Sequence, residues 1–466
     1  RPDSYELELL SGSSQFGHTF DAWGRHFGVL NPIPGRHEVI AARYLERNPD
    51  LAVSEVMQTL SEDRHVAFIT EQPESPRKDW GFLDSFGQLT SACGITCYLG
   101  GAFGEKYRGI AFIAEPAHNG VLAQIWSPSG VSFQARRLNS EREFLVSRDS
   151  WFRPVNFSVG PDGALYVVDY YRRIIEHPEW TSREIYESDA IYHGNDKGRI
   201  YRIVPKNNPP ALPERVNLGD LSTEELVAQL KHPNAWYRRT SQRLLIDRGG
   251  DEAVTSLRLM VRDSTSGLGR LHALWTLEGL GRLDTQLIYM ALQAPEGGLR
   301  ENAILLAERR LAQSLSLQKR LIMMTDDPDA RVRFQLLCTL GNISSSAARI
   351  ARDTLLMRDI SDRWMQIAAL SSSSEDALRL FSLATSKLTN SDDENKFAWD
   401  VAQHLGKPMV GGSDAHSVHG LGRCVTVFPE HISTTTQFLE ALHAGKFYPA
   451  TGLLSGNLQQ FTSSND

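Results

Sequence analysis

Between Leu221 and Ser374 the chain repeats itself. Arg238, Arg270, Arg300, Arg333 and Arg363 fall at intervals of 32, 30, 33 and 30 residues. Each opens an amphipathic run, such as Arg270-Leu-His-Ala-Leu-Trp-Thr-Leu277 or Arg333-Phe-Gln-Leu-Leu-Cys-Thr-Leu340. Most are preceded by turn residues: His232-Pro-Asn, Asp263-Ser-Thr-Ser, Asp326-Asp-Pro-Asp and Asp359-Ile-Ser-Asp. One helix pair cannot bury its own apolar face, so a repeat of this length dictates stacking into a helical solenoid. The spacing predicts about five units over residues 221–375, with the aligned arginines capping turns or packing between repeats.

The flanking regions follow other patterns. Residues 1–206 are rich in Gly, aromatic and β-branched residues, with short strand-like runs at Gly109–Ala114, Gly120–Trp126 and Gly198–Val204. Asn156–Val159 and Ala164–Asp169 flank Gly160-Pro-Asp-Gly163, a hairpin in which Pro presets one dihedral and Gly163 takes positive φ. Short, regularly spaced strands predict a sandwich, barrel or propeller. Residues 207–220 form a Pro-rich linker. After a second, polar linker at 376–395, residues 396–466 read as a short, incomplete α/β segment. It has a helix over Lys396–Leu405, a strand from Pro408 into the Ser413-Asp-Ala-His416 loop, a strand at Cys424–Phe428, and a helix capped by Thr434 and stopped at Gly445.

Bulk properties exclude some classes of function. At 466 residues, 41% hydrophobic and 23% charged, the chain is ordinary globular material with room for roughly two to four domains. A formal charge of −7 argues against a nucleic-acid surface. No run of apolar residues is long enough to span a membrane. The chain opens on Arg1 with no leader pattern, as expected of a processed or partial product. Cys93 and Cys97, in Cys-Gly-Ile-Thr-Cys, match neither a redox nor a haem-attachment motif and are expected to be buried or free thiols.

Two family resemblances follow. Gln15-Phe-Gly-His-Thr-Phe-Asp-Ala-Trp-Gly24, Asn48-Pro49, Glu143-Phe-Leu-Val-Ser-Arg-Asp-Ser-Trp-Phe-Arg-Pro154, Gly160-Pro-Asp-Gly-Ala-Leu-Tyr-Val-Val-Asp-Tyr-Tyr-Arg172 and Ile175-Glu-His-Pro-Glu-Trp180 form an ordered set. With it, residues 1–375 resemble bacterial membrane-bound dehydrogenases, whose β-propeller is similar to PQQ-dependent sugar dehydrogenases and is followed by HEAT repeats. The resemblance implies a partial propeller of about four blades, a HEAT-like solenoid with a face for a protein partner, and a periplasmic or other extracytoplasmic location. The tail carries Leu-Gly-Lys-Pro-Met-Val-Gly-Gly-Ser-Asp-Ala-His (405–416), Gly-Leu-Gly-Arg-Cys-Val-Thr-Val-Phe (420–428) and Phe-Leu-Glu-Ala-Leu-His-Ala-Gly-Lys-Phe (438–447). It resembles the end of PHP-domain metal-dependent phosphoesterases.

The first resemblance implies oxidation of a sugar or alcohol by hydride transfer to PQQ, with calcium as a further cofactor. His18, on a Gly-flanked turn, is the candidate base. Arg148, Asp149, Arg153, Asp169 and Arg172 are candidates for holding the cofactor, because arginine suits carboxylates and PQQ carries three. Turn capping and blade-to-blade hydrogen bonding are the competing roles for the aspartates. The second resemblance makes Asp414 and His416 metal ligands for Zn, Mn or Mg. No His-x-His occurs upstream to complete that site, and a catalytic zinc uses three protein ligands. A non-catalytic scaffold binding proteins or glycans is the alternative to both enzymes.

Overall fold

The computed structural model describes residues 10–49, 51, 53, 55–66, 87–175, 183–212 and 216–372, and of the remainder 376, 379–380, 383, 424–429, 431–434, 437, 440–441, 444, 446, 448–451 and 459–460. The chain divides into two compact units, residues 1–42 with 55–348, and residues 43–54 with 349–466.

Sheets occupy the N-terminal region. β1 (His18–Phe20), β2 (His26–Leu30), β3 (Ile33–Glu38) and β4 (Met57–Thr59) pair in that order, each antiparallel to the next. A second meander contains β5 (Ile95–Cys97), β6 (Ala111–Glu115), β7 (Gly120–Ser129) and β8 (Ser132–Arg137), with β9 (Leu145–Val146) added to β7. β10 (Pro154–Val159), β11 (Leu165–Asp169) and β12 (Arg199–Ile203) make a third sheet. Two short helices, α1 (Ala42–Leu45) and α2 (Arg183–Glu187), lie among these strands in sequence. The expected hairpin is present: Gly160 N–H bonds to the Ala164 carbonyl, and Gly163 has φ of 76°. A side chain at Gly163 would meet the Gly100 carbonyl at 2.6 Å, so this position accepts only glycine. The described strands form open sheets, none of them closed into a barrel.

The period change at Leu221 marks real helices. They are α3 (Thr223–Gln229), α4 (Ala235–Arg248), α5 (Val254–Asp263), α6 (Gly267–Gly279), α7 (Thr285–Ala291), α8 (Gly297–Glu308), α9 (Leu315–Ile322), α10 (Ala330–Leu340), α11 (Ser346–Arg358) and α12 (Arg363–Leu370). Side-chain caps start most of them. Ser222 and Glu225 form a reciprocal capping box, and Asn234, Ser266, Asp284, Ser314, Asp329 and Asp362 each accept a first-turn N–H. Apolar positions such as Leu226, Leu257, Leu274, Ile288, Leu317 and Leu336 are wholly buried, each contributing about 1.5–3 kcal/mol.

The aligned arginines have a specific job. Arg238 sits four residues past its N-cap and donates from Nη1 to the His232 and Pro233 carbonyls at 2.7 and 2.8 Å. Arg300 does the same to Ala294 and Pro295, at 2.8 and 2.9 Å, and Arg333 reaches Asp327 O at 2.7 Å. Each of these three guanidinium groups satisfies carbonyls of the turn that precedes its own helix, whereas Arg270 Nε donates to the Val261 carbonyl in the last turn of α5 at 2.9 Å. The fifth member needs correcting. Arg363 directly follows the N-cap of α12, and Gln366 occupies the equivalent place, its Nε2 donating to the Ile360 carbonyl at 2.6 Å.

Within the first unit the helices dock on the sheets through backbone groups. Ala235 N–H bonds to Leu99 O at 3.0 Å, Asn234 Nδ2 donates to Gly160 O at 2.9 Å, and Asn302 Nδ2 donates to Trp23 O at 3.0 Å. The Pro-rich stretch at 207–220 therefore joins parts that share one compact unit. In the second unit, Asn48 Nδ2 donates to the Leu370 carbonyl at 2.6 Å, and Arg352 pairs with Asp376 at 3.1 Å. Strands β13 (Cys424–Val427), β14 (Tyr448–Thr451) and β15 (Gln459–Gln460) form an antiparallel sheet there, and Thr434 Oγ1 accepts from Gln437 N at 3.2 Å as an N-cap does. No helix among the described residues is long and apolar enough to cross a membrane.

Candidate functional site

Strand alternation builds the site. Across β1, β2 and β3, Thr19, Phe27 and His37 fall on one face, because Thr19 opposes Phe27 and Phe27 opposes His37. That face is core: Phe27 is fully buried and stacks on Trp126 with centroids 4.1 Å apart. His37 is buried there with Nδ1 2.9 Å from Ser132 Oγ. Burial, with Arg25 and Arg331 nearby, pushes its pKa down to about 3, so it is a neutral core histidine.

The opposite face presents His18, Phe20, His26 and Glu38. His18 Nδ1 lies 3.0 Å from His26 Nε2, and His26 Nδ1 lies 2.5 Å from Glu38 Oε2. Glu38 Oε1 accepts from both the backbone N–H and the hydroxyl of Ser11, each at 2.8 Å. Access changes along this line. The side chains of Glu38 and His26 are 7% and 12% exposed, whereas His18 stands in solvent beside the exposed ring of Phe20. The segment carrying Ser11 covers the carboxylate end, with Gly12 close against Met57 of β4, where a Cβ would come within 2.6 Å of the sulfur. Burial alone works to raise the Glu38 pKa, but the bonds from His26 and Ser11 outweigh it and hold the carboxyl down at about 2. An ionised carboxylate thus backs a chain of two imidazoles that ends at the surface, an arrangement suited to accepting and passing a proton.

The structure gathers Asp149, Arg153, Asp169 and Arg172 around the ends of β10 and β11. Arg153 is buried, and its Nε, Nη1 and Nη2 donate to the carbonyls of Arg172, Pro116 and Arg173 at 3.1, 2.8 and 2.8 Å. Arg172 Nη1 donates to the carbonyls of Tyr171 and Gly194, at 3.1 and 2.6 Å. Asp169 is 1% exposed and caps the Arg153 and Tyr171 N–H groups with Oδ1 at 2.8 and 2.9 Å. Its Oδ2 has no hydrogen bond, only Arg199 Nε at 3.7 Å. Burial pushes the Asp169 carboxyl above its ordinary value despite those two N–H groups. Asp149 is exposed, caps the Trp151 N–H at 3.0 Å and accepts the Tyr171 hydroxyl at 3.0 Å. Arg148 is exposed. The three donor nitrogens of Arg153 and Nη1 of Arg172 are thus engaged by main-chain carbonyls.

Asp414 and His416 lie outside the described residues, as do the expected strand and loop at 408–416 and the helix at Lys396–Leu405. Among the described residues, no three His, Cys, Asp or Glu side chains converge to hold a metal ion. Cys93 and Cys97 are free and buried, and burial pushes both thiols up to about 12.

Two family models match the chain. A domain of unknown function (DUF7133) is similar to residues 1–207, and a PHP-associated model is similar to residues 392–447. The second match falls on the tail that resembles the end of a PHP domain. No curated protein and no solved structure matches.

Sequence reasoning singled out His18 but missed its partners. His26 and Glu38 lie on either side of the β2–β3 turn, so a hairpin reading centred on Asn31-Pro32 was the available signal.

Proposed function

We propose that the N-terminal sheets belong to a dehydrogenase-like protein acting on hydroxyl groups of a sugar or alcohol, with His18 as the base. What supports this reading is the exposed imidazole backed by a second imidazole and a buried carboxylate. The open ring of Phe20, whose centroid is 5.7 Å from that of His18, offers an apolar platform for the C–H face of a sugar. His18 takes the hydroxyl proton, and the hydride needs an acceptor, to which no residue is assigned. In the same reading the antiparallel sheets are propeller blades, the helix pairs are HEAT-like repeats offering a face to a protein partner, and the protein works outside the cytoplasm. The test is dye-coupled oxidation of a panel of sugars and alcohols by the full chain, with and without added PQQ and calcium. Turnover that His18→Ala lowers by about 10²–10⁴-fold supports the proposal. Absence of turnover on every substrate leaves a non-catalytic binding scaffold.

A second reading rests on the PHP-associated match at residues 392–447. There Asp414 and His416 are two ligands of a divalent cation (Zn, Mn or Mg) in a phosphoesterase-type site, which needs at least one more ligand. Metal analysis of the purified chain tests it: stoichiometric metal lost in Asp414→Ala supports it, and substoichiometric metal removes it.

A further inference from the structure

We infer that His26 and Glu38 are positioning residues that fix His18 in its Nδ1–H tautomer and so turn a bare Nε2 toward solvent. The inference deepens the reading of His18 as a base and begins from the buried end of the chain. An ionised carboxylate only accepts hydrogen bonds. Glu38 Oε1 takes the Ser11 and Gly12 N–H groups at 2.8 and 3.3 Å and shares the Ser11 hydroxyl with the Ile40 carbonyl, which leaves Oε2 for His26 Nδ1 at 2.5 Å. That nitrogen must therefore carry a proton. A neutral imidazole has one N–H and one lone pair, so His26 Nε2 is an acceptor. The atom facing it is His18 Nδ1, at 3.0 Å, which must be the donor. His18 Nε2 then holds the remaining lone pair, on a ring exposed to solvent.

Each step follows from the one before, and the outcome is the reverse of the Nε2–H form that a free imidazole favours in water. It also sets the course of a proton. When His18 Nε2 removes a proton from a hydroxyl, the O–H bond breaks, its electron pair stays on oxygen, and an N–H bond forms. The Nδ1 proton is already directed at His26 Nε2. Its transfer leaves His18 neutral and His26 as an imidazolium paired with the Glu38 carboxylate. Charge created at the surface is thus moved next to a fixed negative group. His37, the neighbour of Glu38 in sequence, cannot take this part, because the strand turns it into the core.

Nitrogen-15 NMR of the full chain labelled at histidine, at about pH 8 where imidazoles are mostly neutral, reads the tautomers directly. His18 is expected as Nδ1–H with an unprotonated Nε2, and His26 as Nδ1–H. In His26→Phe, His18 is expected to revert to mainly Nε2–H, and His26→Gln, whose amide oxygen can accept, is expected to restore Nδ1–H. A wild-type His18 found as Nε2–H overturns the inference, as does a His18 unchanged by His26→Phe. Should that variant not fold, the wild-type spectrum alone decides. No substrate is involved, so dehydrogenase activity can fail while the tautomer holds, and the reverse.

Discussion

Arg25 and Glu301 are 276 positions apart in the chain, and Arg25 Nη2 donates to Glu301 Oε2 at 2.5 Å with both side chains nearly buried. Asp21 closes the group, accepting Arg25 Nη1 at 3.0 Å. Burial disfavours the guanidinium charge, but Glu301 and Asp21 outweigh it and hold Arg25 above its ordinary pKa. This ion triad ties the β1–β2 connection to α8. Removing one partner strands a buried charge, so Glu301→Ala is expected to cost about 3–5 kcal/mol. The triple variant Asp21→Asn/Arg25→Met/Glu301→Leu, which leaves no charge of the triad unpaired, is expected to recover much of that loss. Denaturant unfolding of the full chain measures both.

Glu38 gives the fold a pH dependence. Its carboxyl is depressed from 4.5 to about 2 in the folded chain, so the stability it contributes is complete above the unfolded value. That stability, on the order of 3 kcal/mol at most, is lost as pH falls through the interval down to about 2. The stability difference between wild type and Glu38→Gln is therefore expected to shrink steadily from pH 5 to pH 2. A difference that does not change with pH would show that the carboxylate charge is immaterial.

Asp169 separates hydrogen bonding from charge. Its Oδ1 satisfies two backbone N–H groups, and the ionised form is disfavoured by burial. Asp169→Asn keeps the acceptor and is expected to change stability by no more than about 1 kcal/mol at pH 7, whereas Asp169→Ala leaves two donors unpaired and costs about 2–4 kcal/mol. Thermal unfolding at matched pH checks the contrast.

The turn-binding residues of the helices are expected to rank by charge. Arg300→Met removes two carbonyl bonds and the bidentate pair to Asp327, at 2.7 and 2.8 Å, and is expected to cost about 3 kcal/mol. Gln366→Leu removes one neutral bond to Ile360 O and is expected to cost about 1 kcal/mol. Chemical denaturation distinguishes them.

The helical half was legible because period, caps and turns are local properties. Asn234, Ser266, Asp329 and Asp362 each stand just before an apolar run and start a helix there. Even so, alignment by residue type chose Arg363 where position relative to the cap selects Gln366. The Gly160–Gly163 hairpin was readable for the same reason. Whether the sheets close on one another depends on contacts that no local pattern encodes.

His18 stood out by its chemistry, but its partners depended on register. Leu30 opposes Ile33 at the β2–β3 turn, and continuing that register without interruption would set His26 against His37. An irregularity between Gly28 and Leu30 shifts the pairing, so Phe27 meets His37 and His26 comes opposite Glu38. The same shift separates a buried, neutral His37 from a polar face where His18, His26 and Glu38 meet. Sequence determined which residues could accept, donate or carry a proton, because that is covalent chemistry. Only the tertiary structure decided which of them touch, because a one-residue slip between strands turns every side chain to the other face of the sheet.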